Sequence, residues 1–369
     1  MVRKYVALTK IFHDSDGKLE NLKGKAISII GYGNQGRAQA LNLRDSGLSV
    51  IIGNKDDKYK KRAKKDGFQT HTITDAVKKS DIIFLLIPDE VMPEVFRKEI
   101  EPFIREKQFI VFASGYNIAF DLIKIPANLN VILLAPRMIG VGVRENYLTG
   151  EGFFSFITVH HDVSGDSWEI LLALCKGLGT LKKGAVEVTC KQEAVLDLFN
   201  EQAFGPAFGR VLLSSIYTLI EQGYPSEAVL IEMYLSEEMA YTYEKMARIG
   251  LVRQTNFHSH TSQYGAMSRG VKFMNLPLKK IMKGILKNIE SGGFAREWTK
   301  KSSKLKFKAI KFFAMKTKIN SIEQKVRKSL ELPTISFEDA YYQLNEEVLK
   351  ELELVKDEIK EFEDFFSEY

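Results

Sequence analysis

The stretch Ala26-Ile27-Ser28-Ile29-Ile30-Gly31-Tyr32-Gly33-Asn34-Gln35-Gly36 decides the fold of this chain. Its first half is a short β-branched run, which reads as a buried strand. Its second half carries glycines at 31, 33 and 36, and helix-compatible sequence follows over 35–46. A second run, Ser49-Val50-Ile51-Ile52, comes next, so the glycines lie between strand and helix inside a βαβ unit. In that context their spacing is a dinucleotide-binding turn. Gly31 is expected to make the tight turn, Gly33 to let the backbone approach a pyrophosphate, and Gly36 to let helix and strand pack closely. Tyr32, Asn34 and Gln35 complete the loop, and the helix N-terminus faces the phosphate.

Further apolar runs lie at 81–87, 109–113, 131–135 and 156–160, with polar helical stretches such as 58–66 and 74–79 between them. This alternation predicts a parallel sheet covered on both faces, a Rossmann-type, doubly wound α/β domain over 1–190. From about Glu193 helical spacing takes over at 193–222, 225–248 and 276–291, with Gly223 and Gly292-Gly293 as stops. An all-α domain is expected over 191–330, followed by an acidic helical extension over 331–369. In that extension Ala340, Leu344, Val348, Leu352, Val355 and Ile359 recur at helical spacing.

Length and composition agree with this division. At roughly 100–200 residues per domain, 369 residues make two domains plus an extension. Hydrophobic residues at 45% and charged residues at 27% exclude collagen-like, disordered and disulfide-scaffold chains. No apolar run is read as reaching the roughly 18–20 residues that span a bilayer. No apolar signal core follows Met1, so a cytoplasmic protein without a membrane partner is expected. Cys175 and Cys190 read as small packed side chains in a reducing compartment.

The net charge of +6 is unevenly spread. Lys+Arg minus Asp+Glu is 17 − 3 = +14 over 271–330 and 3 − 13 = −10 over 331–369. Lys300, Lys301, Lys304, Lys306, Lys308 and Lys311 are interleaved with Phe307, Phe312 and Phe313, a pattern that can track a phosphate backbone. No nucleic-acid motif accompanies it, so a helix facing protein is favoured and the acidic extension is its expected partner.

Two groups of residues carry chemistry. After the second strand come Gly53-Asn54-Lys55-Asp56-Asp57-Lys58. The strand end is not acidic, and Lys55 and Lys58 can pair a 2′-phosphate, which favours NADP(H) over NAD. Asp197 and Glu201 stand four apart on one helical face, and Glu232 sits in the apolar run 228–235. Carboxylates in apolar surroundings need a partner or a metal, and such oxygens suit Mg²⁺.

Taken together the motifs resemble the ketol-acid reductoisomerases, the acetohydroxyacid isomeroreductases of branched-chain amino-acid synthesis. The resemblance is carried by GYGNQGRAQALNLRDSG (31–47), PDEV (88–91), ASGYNIAF (113–120), HHDVSG (160–165), DLFNEQ (197–202), SQYG (262–265) and SGGFAREW (291–298). It runs from about Leu22 to about Trp298. It implies an N-terminal Rossmann domain, a knotted helical domain, NADPH, two Mg²⁺ ions and an oligomer. The implied reaction converts 2-acetolactate or 2-aceto-2-hydroxybutyrate, small 2-keto-hydroxy acids, into a 2,3-dihydroxy-3-methyl acid. By the same resemblance Asp197, Glu201 and Glu232 are metal ligands, and Ser259 contacts the substrate carboxylate. Residues 31–36, the loop Asp89, Glu90, Val91 and Met92, and Gly140 contact the cofactor.

Three positions depart from the family pattern. Ser114 stands where the family has histidine, Arg137 where it has lysine, and Ser236 where it has a second metal-binding glutamate, with Glu237 and Glu238 next to it. The resemblance therefore implies a divergent paralogue with one bound ion rather than two. Two other readings stay open: an NADP-dependent reductase of another 2-keto or hydroxy acid, and a non-catalytic nucleotide-binding relative.

Overall fold

The computed structural model describes residues 9–332 and Lys360. The chain divides into two compact units, Met1–Leu198 and Phe199–Tyr369. The division falls a few residues later than the expected 190, so Asp197 belongs with the sheet unit. The expected acidic helix of the extension lies outside the described residues.

In the first unit the strands are β1 (Ile11–Phe12), β2 (Ile27–Ile30), β3 (Val50–Gly53), β4 (Thr70–His71), β5 (Ile82–Leu85), β6 (Phe109–Phe112), β7 (Asn130–Pro136), β8 (Phe154–His161) and β9 (Gly184–Glu187). They form one sheet in the order β1-β9-β8-β7-β6-β5-β2-β3-β4. Helices α1 (Asn34–Asp45), α2 (Lys58–Lys65), α3 (Ile73–Lys79), α4 (Met92–Val95), α5 (Tyr116–Ala119), α6 (Gly140–Leu148) and α7 (Ser167–Leu178) connect them, and α8 (Cys190–Phe199) leads out.

Strands β4, β3, β2, β5, β6 and β7 pair in parallel, as the apolar runs predict. The all-parallel expectation fails at β8, which runs antiparallel to β7. The chain turns through α6 at the end where it leaves β7, so Pro136 lies opposite Ser155 at the start of β8. Strand β1 also pairs antiparallel, with β9. Alternate residues of the central strands face opposite cores. Ile82, Phe84, Val111 and Ile132 pack with Leu41 of α1 and Leu174 of α7. Ile83, Leu85, Ile110 and Leu133 pack with Ile73 and Val77 of α3. Each fully buried Ile or Leu contributes on the order of 1.5–3 kcal/mol, so this two-faced burial dominates the stability of the unit.

The second unit is helical, with α9 (Gly205–Glu221), α10 (Ser226–Leu230), α11 (Glu238–Ile249), α12 (His260–Gly270), α13 (Leu278–Glu290), α14 (Gly293–Trp298), α15 (Lys301–Met315) and α16 (Lys318–Ser329). Ile216, Val229, Leu230 and Val326 form its buried cluster. The expected helix 193–222 is continuous but contains a π-helical turn, Asn200–Phe204. Contrary to the expectation of no membrane-length run, Cys190–Glu221 spans 32 residues and has a window of mean hydropathy 1.3. The expected helix 225–248 is broken. A π turn, Ile231–Leu235, ends before Glu237, which adopts a left-handed backbone at φ 62° and starts α11.

Candidate functional site

The phosphate turn forms at the end of β2. Gly31 has φ 95°, and a Cβ there would meet the Leu86 carbonyl oxygen at 2.6 Å. A Cβ on Gly36 would lie 2.1 Å from the Gly31 carbonyl oxygen, so helix α1 can approach the strand only without a side chain. Gly33 differs: among the described residues, no atom beyond its own chain neighbours lies within 4 Å of where its Cβ would be. The protein's own packing needs no glycine there, which fits a backbone left bare for a ligand.

Tyr32, expected on the phosphate turn, has its polar groups engaged within the protein. Its side chain is buried in the core, and its hydroxyl donates to Asp66 Oδ2 at 2.8 Å. Arg37 Nε donates to the same oxygen at 2.7 Å. Tyr32 N–H donates to Asn54 Oδ1 at 3.1 Å. The acidic residue after β3 has a structural role: Asp57 caps α2 by accepting from Tyr59 and Lys60 N–H. Its carboxylate is thereby occupied, and Lys55 and Lys58 are both exposed.

The neighbouring loops are tied to one another. Asn117 Nδ2 donates to Asp89 Oδ1 at 2.9 Å. Glu90 and Val91 are exposed, whereas Met92 is buried in the core. A Cβ on Gly140 would meet the Asn34 carbonyl oxygen at 2.3 Å. Gly140 thus seats α6 against the start of α1 and supports the turn from behind, while Gln35 Nε2 donates to Met138 O at 2.8 Å.

At the ends of β6 and β7 three charged groups meet. Arg137 Nη1 donates to Asp197 Oδ1 at 2.7 Å, and Nη2 donates to Glu193 Oε1 at 2.8 Å. Glu193 Oε2 accepts from Gly115 N–H at 2.6 Å. The guanidinium carbon lies 5.0 Å from the Phe156 ring centre. The Glu193 side chain is 0% exposed and that of Asp197 40%. Burial pushes the Glu193 carboxyl up to about 7, against the opposing pull of Arg137 and the Gly115 amide. Ser114 Oγ accepts from Tyr116 N–H at 3.2 Å, so it caps the turn that presents Gly115.

Glu193 is the residue that sequence reasoning missed. The signal was present: acids at 193, 197 and 201 repeat every four residues. The reading of buried carboxylates at Asp197 and Glu232 is corrected, because Asp197 is partly exposed and Glu201 and Glu232 are exposed. The buried acid is Glu193, because the fold places a guanidinium and a backbone amide beside it.

In the second unit Glu201 and Glu232 each sit in a π turn. Such turns are rare and concentrate at functional sites. Ser259 Oγ caps α12 by accepting from Ser262 N–H, which leaves its hydroxyl proton able to donate. The left-handed Glu237 means that positions 236–238 do not lie on one helix. A rotation of about 100 degrees per residue therefore does not describe how Glu237 stands relative to Ser236. Among the described residues no three His, Cys, Asp or Glu side chains converge as a metal site. The donor chemistry of Asp197, Glu201 and Glu232 suits Mg²⁺, but one oxygen of Asp197 is already engaged by Arg137.

The fold and these groups define a dinucleotide-binding α/β unit joined to a helical unit that presents carboxylates on π turns. The chain belongs to the ketol-acid reductoisomerase family. Residues 21–184 match the acetohydroxy acid isomeroreductase NADPH-binding domain, and residues 190–331 match the ketol-acid reductoisomerase C-terminal domain. The family domain thus runs beyond Trp298 and includes the basic helices α15 and α16. A putative ketol-acid reductoisomerase 3 of Saccharolobus solfataricus is 44% identical over 288 residues, 77% of this chain and 86% of the relative. The ketol-acid reductoisomerase (NADP(+)) of Methanocaldococcus jannaschii is 39% identical over 294 residues, 79% of this chain and 88% of the relative. A solved NADH-preferring ketol-acid reductoisomerase from an uncultured archaeon superposes with a TM-score of 0.82 at 32% identity, covering 86% of this chain and 98% of that one.

Proposed function

We propose that the protein is an NADPH-dependent ketol-acid reductoisomerase acting on 2-acetolactate-type substrates. The observation that carries this reading is the family match across both units, with the phosphate turn intact in the first. In this reading Gly33 and the first turn of α1 receive the pyrophosphate, and the helix dipole favours its charge. Lys55 and Lys58, both exposed after β3, would pair a 2′-phosphate. Asp197, Glu201 and Glu232 would hold Mg²⁺, which when bound polarises the ketol oxygens for alkyl migration. Arg137 and Glu193 orient Asp197, and Ser259 can donate to the substrate carboxylate. Ser114 lacks an imidazole's proton-carrying capacity near neutral pH, so any proton transfer falls to other groups.

The test is NADPH oxidation with 2-acetolactate at saturating Mg²⁺. Turnover that EDTA abolishes is expected, and cofactor binding without turnover would sink the reading. The contact of Arg137 with Asp197 favours a second reading, an NADP-dependent reductase of a simpler 2-keto acid. That enzyme would reduce 3-hydroxypyruvate or a similar acid with EDTA present.

The second unit exposes many large apolar residues, among them Leu251, Val252, Phe257, Tyr264 and Met274. Patches of this kind mark partner surfaces, and a second copy of the chain is the occupant expected in a family of oligomers. Light scattering should give at least twice the 42.0 kDa chain mass, and a monomer at micromolar concentration would contradict it. Covering by a second copy also accounts for the apolar length of Cys190–Glu221 without a bilayer. The basic helix α15 reads as protein-facing: Lys311 lies 4.4 Å above the Phe307 ring, which packs edge-on against Trp298. Two buried free cysteines accord with a cytoplasmic enzyme.

A further inference from the structure

We propose that Asn54 is a positioning residue for cofactor choice: its side-chain amide ties the loop that carries Lys55 and Lys58 to the phosphate turn, and so sets the preference for NADPH over NADH. The proposal rests on the reading of these lysines given above and goes beyond it in naming what holds their backbone. Asn54 directly follows β3 and is only 6% exposed. Its amide joins three segments. Oδ1 accepts from Tyr32 N–H in the turn at 3.1 Å. Nδ2 donates to Lys55 O at 2.9 Å and to Asp57 Oδ1 at 2.9 Å. Among the described residues no other side chain hydrogen-bonds the turn, 31–36, to the loop, 54–58.

The chemistry of the amide explains why this strand end is not acidic. Both hydrogens of Nδ2 are used, on a carbonyl and on a carboxylate. An aspartate at 54 could still accept from Tyr32 N–H, but it has no proton to give Lys55 O or Asp57. Asp57 in turn is the cap of α2, accepting from Tyr59 N–H at 2.9 Å and Lys60 N–H at 3.2 Å. At the other end of α2, Asp66 accepts from the Tyr32 hydroxyl and from Arg37. Both ends of the helix are thereby held to the turn and to α1. Lys55 is fixed through its own carbonyl, and Lys58 opens the helix that Asp57 caps. Backbone fixed before binding lowers the ordering cost of pairing a ligand. The turn serves the pyrophosphate of either dinucleotide, whereas only NADPH has a 2′-phosphate for the lysines. Loss of the tie therefore acts on the ratio of the two affinities.

The test is fluorescence titration of the full-length protein with NADPH and with NADH, read as the ratio of the two Kd values. Asn54→Ala leaves the charge unchanged and should raise the Kd for NADPH about tenfold more than that for NADH. Asn54→Asp should lose the preference as well. In the double variant Asn54→Asp with Asp57→Asn, the amide at 57 can donate to the carboxylate at 54 and still cap α2, at the wild-type net charge. That variant should recover most of the preference. A ratio within about threefold of wild type in Asn54→Ala overturns the proposal, however far both affinities fall, because a merely structural loss weakens both dinucleotides alike. If Asn54→Ala does not fold, the exchange decides: a double variant no more selective than Asn54→Asp overturns the proposal. Wild-type protein that binds both dinucleotides equally also overturns it. Wild-type protein that binds neither is a different failure, which sinks the nucleotide reading itself and the proposal with it.

Discussion

Arg137→Met will destabilise the protein by about 3–5 kcal/mol at pH 8, the typical cost of removing one partner from a buried ion pair. Arg137 is the only cation bonded to Glu193 among the described contacts, and the Glu193 side chain has no exposed surface. The loss depends on pH in a definite direction. The folded carboxyl is raised from its ordinary 4.5 to about 7, with burial the largest cause. A group raised in the folded state contributes stability below its unfolded value, and that contribution is lost as pH rises through the folded value. Without Arg137 the rise is larger, so Glu193 takes a proton and the penalty shrinks toward pH 5. Urea unfolding at pH 5.5 and pH 8 measures this, and Glu193→Gln in the same background should recover most of the loss at pH 8. Equal destabilisation at both pH values would mean that lost packing on Phe156, rather than charge, is responsible.

Gly33→Val will raise the Kd for NADPH about a hundredfold, or about 2.7 kcal/mol, while leaving the unfolding midpoint in place. Among the described residues no atom beyond its chain neighbours lies within 4 Å of its added Cβ, and the backbone at φ −76° suits any residue, so the described fold has room for a side chain. The objection comes only from a pyrophosphate approaching the bare backbone. Gly36→Val supplies the contrast. Its Cβ would stand 2.1 Å from the Gly31 carbonyl oxygen, so folding and binding should fail together. Fluorescence titration with NADPH and thermal unfolding separate the two effects. A Gly33→Val protein that binds NADPH like wild type would show that the cofactor does not lie on this turn.

Much of the fold was legible because the central strands are short apolar runs bounded by helix-forming sequence. Strands β2, β3, β5, β6, β7 and β8 all coincide with such runs. Strands β1 and β4 are two residues long, too short to set up any alternation, and β9 is a single Gly-Ala-Val-Glu segment. The direction of β8 was not legible either. Nothing in a strand's composition says from which end the chain will enter it; here the chain re-enters at the end where it left β7, with Ser155 opposite Pro136. In the helical unit the periodic pattern reported helices but not the two π turns, Asn200–Phe204 and Ile231–Leu235.

By itself the sequence determined the α/β-then-helical division, the strand–turn–helix context of Gly31, Gly33 and Gly36, and the family. These are local or additive features: periodicity, residue type, and spacing within one short segment. The tertiary structure alone decided which acid is buried and what neutralises it. Glu193 and Asp197 are four residues apart in sequence, but Arg137 stands 56 and 60 residues from them and Gly115 stands 78 from Glu193. A carboxylate is buried only where a fold has already supplied its counter-charge and amide, because the cost of burying it alone exceeds what neighbouring apolar side chains return. Apolar neighbours in sequence therefore pointed to Asp197 and Glu232, while the fold, by bringing β6, β7 and α8 together, reserved the buried position for Glu193.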